Sequence, residues 1–438
     1  METLAITGGQ VLRPDLSVEA ADVLVDQDSG TVRKVVQRDG TDGRPGPATD
    51  AVLEASDALV IPGLVNAHTH VAMTLFRGAA DDKPLDAWLQ EDIWPVEAAL
   101  EGADVRAGAA LGVAEMIRSG TTAFADMYFF MPEVASVVEE AGLRARLCRG
   151  CLSAGKAEDA AHEDFRAGLE FAREYDGAAN GRIQTMFGPH SLTTVEEELF
   201  REYVPRAREA GIPVHLHANE TESEVDPLVA EHGVRPLVYA DDLGVLDGDT
   251  YLAHGVHLDE QEIDLLAERG VGIAHCPSAN MKLASGMAPI QELLDAGVTV
   301  GLGTDGPASN NDLDLLGEMQ TAALLGKLAA DDASAVAAPT ALRMATEAGA
   351  TLLGIDSGRI EAGANADLAV LDLDVPHLRP AHDLVSHLVY AARGSDVRHT
   401  VCDGDVLMRD REIQTLDIDD VMAEASQRTS ELFERANR

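Results

Sequence analysis

Between residues 64 and 306 the chain repeats one pattern eight times, a short apolar run followed by a stretch of helical periodicity. The runs are LVNAHTH (64–70), TAFADMY (122–128), ARLCRG (145–150), RIQTMFGPH (182–190), PVHLHANE (213–220), TYLAHG (250–255), VGIAHCP (271–277) and VTVGLGTDG (298–306). Two of the intervening stretches, 195–211 and 260–270, close on Gly, the residue that ends helices in a left-handed conformation. Strands alternating with helices form parallel sheets, and eight such units close on themselves. The pattern predicts an α/β chain whose residues 61–359 form a (β/α)₈ TIM-type barrel.

Both ends have a different texture. The first sixty residues alternate apolar runs with Gly, Pro and Asp, and a loop rich in Gly and Pro is expected at 38–50. The same hairpin texture returns in ADLAVLDLD (366–374) and HTVCDGDVLMRD (399–410). A small β-sandwich domain is therefore expected from residues 1–60 together with 360–415, with the barrel inserted between them and a C-terminal helix over 416–438.

Composition narrows the partners. Asp and Glu number 76 against 33 Lys and Arg, a formal charge of −43 spread along the whole chain. Such a surface repels nucleic acid and anionic membranes. At molar salt the Debye length falls to about 3 Å, which removes most of the self-repulsion, so the composition points to a salt-accumulating archaeal cytoplasm. No run approaches the roughly eighteen apolar residues of a membrane helix. The start, METLAITGGQ, has no basic segment leading into an apolar run, so a cytoplasmic location is expected. Of the four cysteines, Cys148 and Cys151 form a lone C-x-x-C. A zinc site would need two more ligands nearby, and two reduced thiols in a buried strand are the expectation.

Polar residues collect at the downstream ends of the predicted strands: His68 and His70, His190, His217 and Glu220, His254, His275, and Asp305. In a barrel these ends share the face that carries active sites. His68 and His70, two apart on a strand, point to one side and suit a borderline cation such as zinc. His215 and His217 repeat the spacing, and the one nearer the strand end is the better ligand, leaving His215 a structural role lower in the barrel. Asp305 would complete a His₃Asp set with a position open for water. Glu220, just past its strand, is placed to carry a proton between that water and a substrate.

The motifs PGLVNAHTH (62–70), HLHANETESEV (215–225), AHGVHL (253–258), HCPSANMKLASG (275–286), GTDGPASNNDLD (303–314) and GANADLAVLD (363–372) together resemble the amidohydrolase superfamily over nearly the whole chain. Within it they resemble the branch of 5′-methylthioadenosine/S-adenosylhomocysteine deaminases and triazine chlorohydrolase-type enzymes. The resemblance implies a metal-dependent hydrolase that deaminates the adenine of such nucleosides. It implies metal ligands at His68, His70, His217 and Asp305, an acid/base at Glu220, and His254 polarising the reacting centre. Asp305 and Glu220 would also meet the substrate. Glu97 matches a ribose-binding glutamate, and Arg149 and His190 match further substrate contacts. Trp88 is open between lining the pocket and packing in a core or lid, and contact of His275 with substrate is equally open. Two-metal members of the superfamily use a carboxylated lysine on the fourth strand, and RIQTMFGPH has none, so one divalent ion is expected, zinc ahead of iron or manganese. Relatives of this kind form dimers or tetramers, and a homo-oligomer is expected.

Two departures bear on the substrate. GPHSLTT (188–194) lacks a Pro-Tyr pair frequent after the strand-four histidine, and Gly255 stands where a cysteine is frequent. The competing readings are a broad 5′-deoxyadenosine or adenosine deaminase, and then guanine, cytosine or triazine amino- and chlorohydrolases. The zinc cytidine-deaminase motif, HxE with a later PCxxC, is absent. A non-catalytic scaffold on the same fold is the reading from another class, and such relatives lose the ligands this chain retains.

Overall fold

The structure, a computed structural model, describes residues 2–38 and 49–437. Most of the expected Gly/Pro loop, residues 39–48, lies outside the described residues.

Among the described residues a ten-stranded sheet takes six strands from the N-terminal end, among them Val18–Asp26 and Ala58–Pro62, and four from the C-terminal end, beginning with Leu368–Asp372. The two ends meet where Ala58–Pro62 and Leu368–Asp372 run antiparallel, with Val60 opposite Val370. Val18–Asp26 pairs with Thr3–Thr7, Gln10–Leu12 and Thr31–Gln37, and the sheet encloses a core of its own, including Leu4, Val23, Val25, Val60, Val370 and Val401. Alternate residues of the joining strands, Leu59, Ile61, Ala369 and Leu371, belong to the barrel's core instead. Both faces of these strands are covered, which explains the continuous apolar reading of ALVIP and LAVL. Thr31–Gln37 lies at the periphery and exposes Arg33 and Lys34.

Eight parallel strands make the barrel: β1 Leu64–Thr69, β2 Thr121–Tyr128, β3 Arg144–Cys151, β4 Ile183–Thr185, β5 Val214–Ala218, β6 Thr250–His254, β7 Gly272–His275 and β8 Val300–Leu302. β1 to β4 form one ladder and β5 to β8 another. Two seams close them. At the first, the Phe187 N–H donates to Pro213 O at 2.7 Å and the His215 N–H to Phe187 O at 3.0 Å. At the second, the Asp305 N–H donates to His68 O at 3.0 Å. Beside it the Asn66 amide takes the part of a strand partner, donating to Thr304 Oγ1 at 2.7 Å and accepting from the Thr304 N–H at 3.0 Å.

Small and medium side chains, Val65, Ala67, Ala123, Ala125, Met127, Cys148, Met186 and Ala274, fill the barrel below its mouth together with Tyr251. Cys148 belongs to this layer, whereas Cys151, three residues on, packs in the outer core. An odd offset in a strand sends side chains to opposite faces, so the two thiols do not meet. All four cysteines are free and buried, and burial raises the Cys148 and Cys151 thiols far above their ordinary pKa.

The helix Glu260–Arg269 ends on Gly270 in the left-handed region, as its sequence predicts. In Glu197–Glu209 the capping residue is Ala210, and Gly211 follows with φ +71°. The helix Ile418–Ala436 packs on the barrel, where Phe433 meets Phe76 and Arg435 pairs with Asp104. Among the described residues no helix is long and apolar enough to cross a membrane.

Candidate active site

The ends of β1, β5, β6 and β8 bring His68, His70, His217, His254, Glu220 and Asp305 together in a cluster that is buried apart from the half-buried His70, and hydrogen bonds behind the rings fix which nitrogens face inward. A carbonyl oxygen only accepts, so an imidazole nitrogen facing one carries the hydrogen. His70 Nδ1 lies 2.5 Å from Met127 O, and His217 Nδ1 lies 2.9 Å from His190 O. In the neutral form of each ring Nε2 is then the bare nitrogen, and both Nε2 atoms face the centre, where they stand 3.3 Å apart. His68 turns its Nδ1 to His215 Nε2 at 2.9 Å, and its own Nε2 is buried without a hydrogen-bond partner.

Asp305 supplies the negative charge. Its Oδ1 lies 3.5 Å from His68 Nε2 and 3.2 Å from His70 Nε2, and its Oδ2 accepts from the Ser309 hydroxyl at 2.5 Å. Thr69 and Thr304 hydroxyls both donate to its backbone carbonyl, at 2.9 and 3.0 Å. The turn passes tightly against β1: a Cβ at Gly303 would lie 2.8 Å from His68 O and 2.9 Å from His68 Cβ, so only glycine fits. Asp305 and His254 both adopt positive φ, +58° and +74°. Conformations of this kind cost about 1–3 kcal/mol in non-glycine residues and gather at functional sites.

The buried charges of the cluster shift one another's titration. Burial pushes His68 down to about 4 and holds His217 well below the ordinary histidine range. Burial alone would lower His70 too, but hydrogen bonding and charge from Asp305 raise it to about 9. Burial would raise Asp305, but the His68 and His70 imidazoles hold it well below the ordinary carboxylate range. The donor set, the orphaned His68 Nε2 and the facing His70 and His217 nitrogens fit a divalent cation.

Glu220 and His254 stand beside this set. His254 Nε2 is 3.5 Å from Glu220 Oε2, and its Nδ1 meets Asn280 Oδ1 at 2.9 Å. Ser285 Oγ lies 3.4 Å from Glu220 Oε1. Burial, then the charge of Asp305, pushes Glu220 up to about 8, so it holds a proton at neutral pH. Ser285 also lines an open cavity of about 370 Å³, with Pro84, Asp86, Thr221, Glu222 and His257.

The other expected residues divide. The His190 ring lies 4.7 Å from that of His217, hydrogen-bonded to Thr194, and burial lowers its pKa to about 4. Glu97 accepts from the Tyr128 hydroxyl, and the Tyr128 ring lies 6.3 Å from His70. Arg149 instead forks onto Asp164, Nε at 2.9 Å and Nη2 at 2.6 Å, beside Lys156 on the same carboxylate. Trp88 is buried in the main core and donates its indole N–H to Ala80 O at 3.2 Å. His275 is buried, with Nδ1 unpartnered and its pKa lowered to about 3 by burial.

Sequence reasoning passed over Tyr128, Asn280, Ser285 and Ser309. Tyr128 ends β2, so the strand-end rule that singled out the histidines would have found it. Asn280 and Ser285 lie inside HCPSANMKLASG, whose histidine drew attention instead.

A family model described as the amidohydrolase family matches residues 59–407. A 5-methylthioadenosine/S-adenosylhomocysteine deaminase of the halophilic archaeon Haloarcula marismortui is 66% identical over 436 residues, covering 100% of both chains. A 5′-deoxyadenosine deaminase of Methanosarcina mazei is 46% identical over 97% of this chain and 99% of its own. The crystal structure of an adenosine deaminase from Xanthomonas campestris with bound zinc superposes with a TM-score of 0.92, at 39% identity and 98% coverage of each chain.

Proposed function

The chain belongs to the amidohydrolase family, and on that premise we propose that it deaminates the adenine of 5′-methylthioadenosine and S-adenosylhomocysteine, leaving hypoxanthine and releasing ammonia. The observation that carries this reading is 66% identity, along the entire chain, to a deaminase named for those two substrates. The acid-rich composition, at −43, accords with the halophilic source of that relative.

His68, His70, His217 and Asp305 hold one divalent ion, zinc ahead of iron or manganese because three imidazoles and a carboxylate suit a borderline cation. When bound, such an ion lowers the pKa of a water toward neutrality and so makes hydroxide available. A single ion follows from the fourth strand, since residues 182–190 contain no lysine to bridge a second.

Asp305, kept ionised, takes a proton from the attacking water as its oxygen bonds to the carbon bearing the amine. Glu220 gives its proton to the adjacent ring nitrogen. His254, anchored by Asn280, stabilises the charge that develops at the tetrahedral carbon. The carbon–nitrogen bond then breaks, the amine leaves as ammonia with the proton first taken by Asp305, and the remaining hydroxyl proton passes to Glu220 as the carbonyl forms. Glu97 receives the ribose hydroxyls, with His190 and Arg149 as further contacts, Arg149 reaching the substrate from its pair with Asp164.

The Methanosarcina relative favours a second reading, preference for 5′-deoxyadenosine. An ultraviolet assay in molar potassium chloride, with each nucleoside and with free adenine, separates them. Hypoxanthine-like absorbance should appear with the nucleosides and not with adenine, and the order of kcat/KM among them assigns the 5′ group. Metal-loaded protein that turns over none of them would overturn the proposal. A cytoplasmic homo-oligomer belongs to the same reading, and light scattering at molar salt measures its size.

A further inference from the structure

Each ligand histidine proposed above needs a bare Nε2, and the structure secures this differently for one of them. His70 and His217 face carbonyl oxygens, which settle their tautomers directly. His68 faces another imidazole, His215 Nε2 at 2.9 Å, which can donate or accept. The choice is made one residue further on. His215 Nδ1 lies 3.0 Å from Tyr251 O and must carry the hydrogen. The Nε2 of neutral His215 is then bare and accepts from His68 Nδ1, and His68 Nε2 is left free toward Asp305.

We propose that His215 is a positioning residue for the metal centre, relaying the demand of the Tyr251 carbonyl across the barrel and so holding His68 in its ligating tautomer. The inference rests on the metal reading of the cluster. The reversed tautomer would aim an Nε2 hydrogen at the space among His70, His217 and Asp305, where the cation belongs. The relay is held in place: the His215 ring stacks on Tyr251 with centroids 4.2 Å apart and planes at 29°, and the Tyr251 hydroxyl reaches Met186 Sδ at 3.4 Å. The i, i+2 spacing on β5 gives one strand both a ligand, His217, and the residue that orients the ligand on the opposite wall.

Two variants read this out on metal-stripped protein in molar potassium chloride. His215→Phe keeps a ring without an acceptor, and His215→Gln offers an amide oxygen. Zinc affinity is measured by competition with a chromophoric chelator, alongside the visible bands of the cobalt-substituted protein. His215→Phe should lose about 10- to 100-fold in affinity and shift the cobalt bands, and His215→Gln should recover most of both. Wild-type affinity and unchanged bands in His215→Phe would overturn the proposal, even if thermal unfolding of the metal-free protein moved, because that is the signature of packing alone. Should His215→Phe not fold, His215→Asn takes its place: its shorter amide should bind zinc more weakly than His215→Gln, and equal affinities would overturn the relay. Wild-type protein that takes up no zinc removes the metal reading itself, and this is seen before any variant is made.

Discussion

The Tyr128 hydroxyl donates to Glu97 Oε1 at 2.7 Å, joining the end of a barrel strand to the short helix Trp94–Glu97. Burial raises the pKa of Glu97, while the Tyr128 hydrogen bond works against that rise. Burial also keeps the tyrosine protonated, so it remains the donor. One carboxylate oxygen is thereby engaged, and under the proposed function the other would receive a ribose hydroxyl. Glu97→Gln should cost roughly 10- to 100-fold in kcat/KM for the nucleosides, mostly through KM, as expected for a lost hydrogen bond to a charged group of about 1.5–3 kcal/mol. Tyr128→Phe should raise KM in the same direction by a smaller factor. Steady-state kinetics check both, and an unchanged KM in Glu97→Gln would remove its role in ribose recognition.

Glu220 holds its proton because its pKa is raised to about 8. The protonated form is the active acid, so kcat/KM should be level near neutrality and decline as pH rises through about 8. Glu220→Gln should retain metal but lose about 10²- to 10⁴-fold in turnover. A pH profile and metal analysis of the variant test the assignment, and full turnover would sink it.

Chelation should abolish activity, and zinc should restore it. It should also lower the unfolding temperature, because the facing nitrogens of His70 and His217 would then lose the cation proposed to be held by them. At ion concentrations a hundred times Kd, binding adds about 2.7 kcal/mol to stability. Calorimetry with and without chelator measures the difference.

Glu318 is buried behind the site and accepts from the Ser278 N–H and the Asn310 amide. Burial raises its pKa from 4.5 to about 8, so the folded state binds a proton more tightly than the unfolded chain. Its contribution is fully present below about 4.5 and is lost as pH rises through about 8. The slope cannot exceed about 1.4 kcal/mol per pH unit for one proton. Glu318→Gln should flatten the decline between pH 5.5 and 8.5, as read by denaturant unfolding at constant potassium chloride.

The barrel is legible in the sequence because each strand is a short apolar run and the polar residues stand at its downstream end, a local pattern that survives without knowledge of partners. His68, His70, His217 and Asp305 share this property, and the fold brings them together. Contacts between distant segments leave no such trace. Nothing near Arg149 announces its pair with Asp164 on the following helix, and nothing near His215 announces that its partner is on β1. The seam formed by Asn66 and Thr304 is equally silent, since an asparagine standing in for a strand partner has no periodicity.

The strand Ala58–Pro62 runs almost directly into β1, which carries His68, and its lateral partner is Leu368–Asp372. Because the chain is made from its N-terminus, β1 and the proposed ligands His68 and His70 are synthesised long before residues 368–372, the lateral partner of the strand that leads into them. The order of translation thus makes the last-made quarter of the chain the clasp on the first, and a polypeptide truncated before that point would keep every proposed ligand while lacking the strand that fastens them.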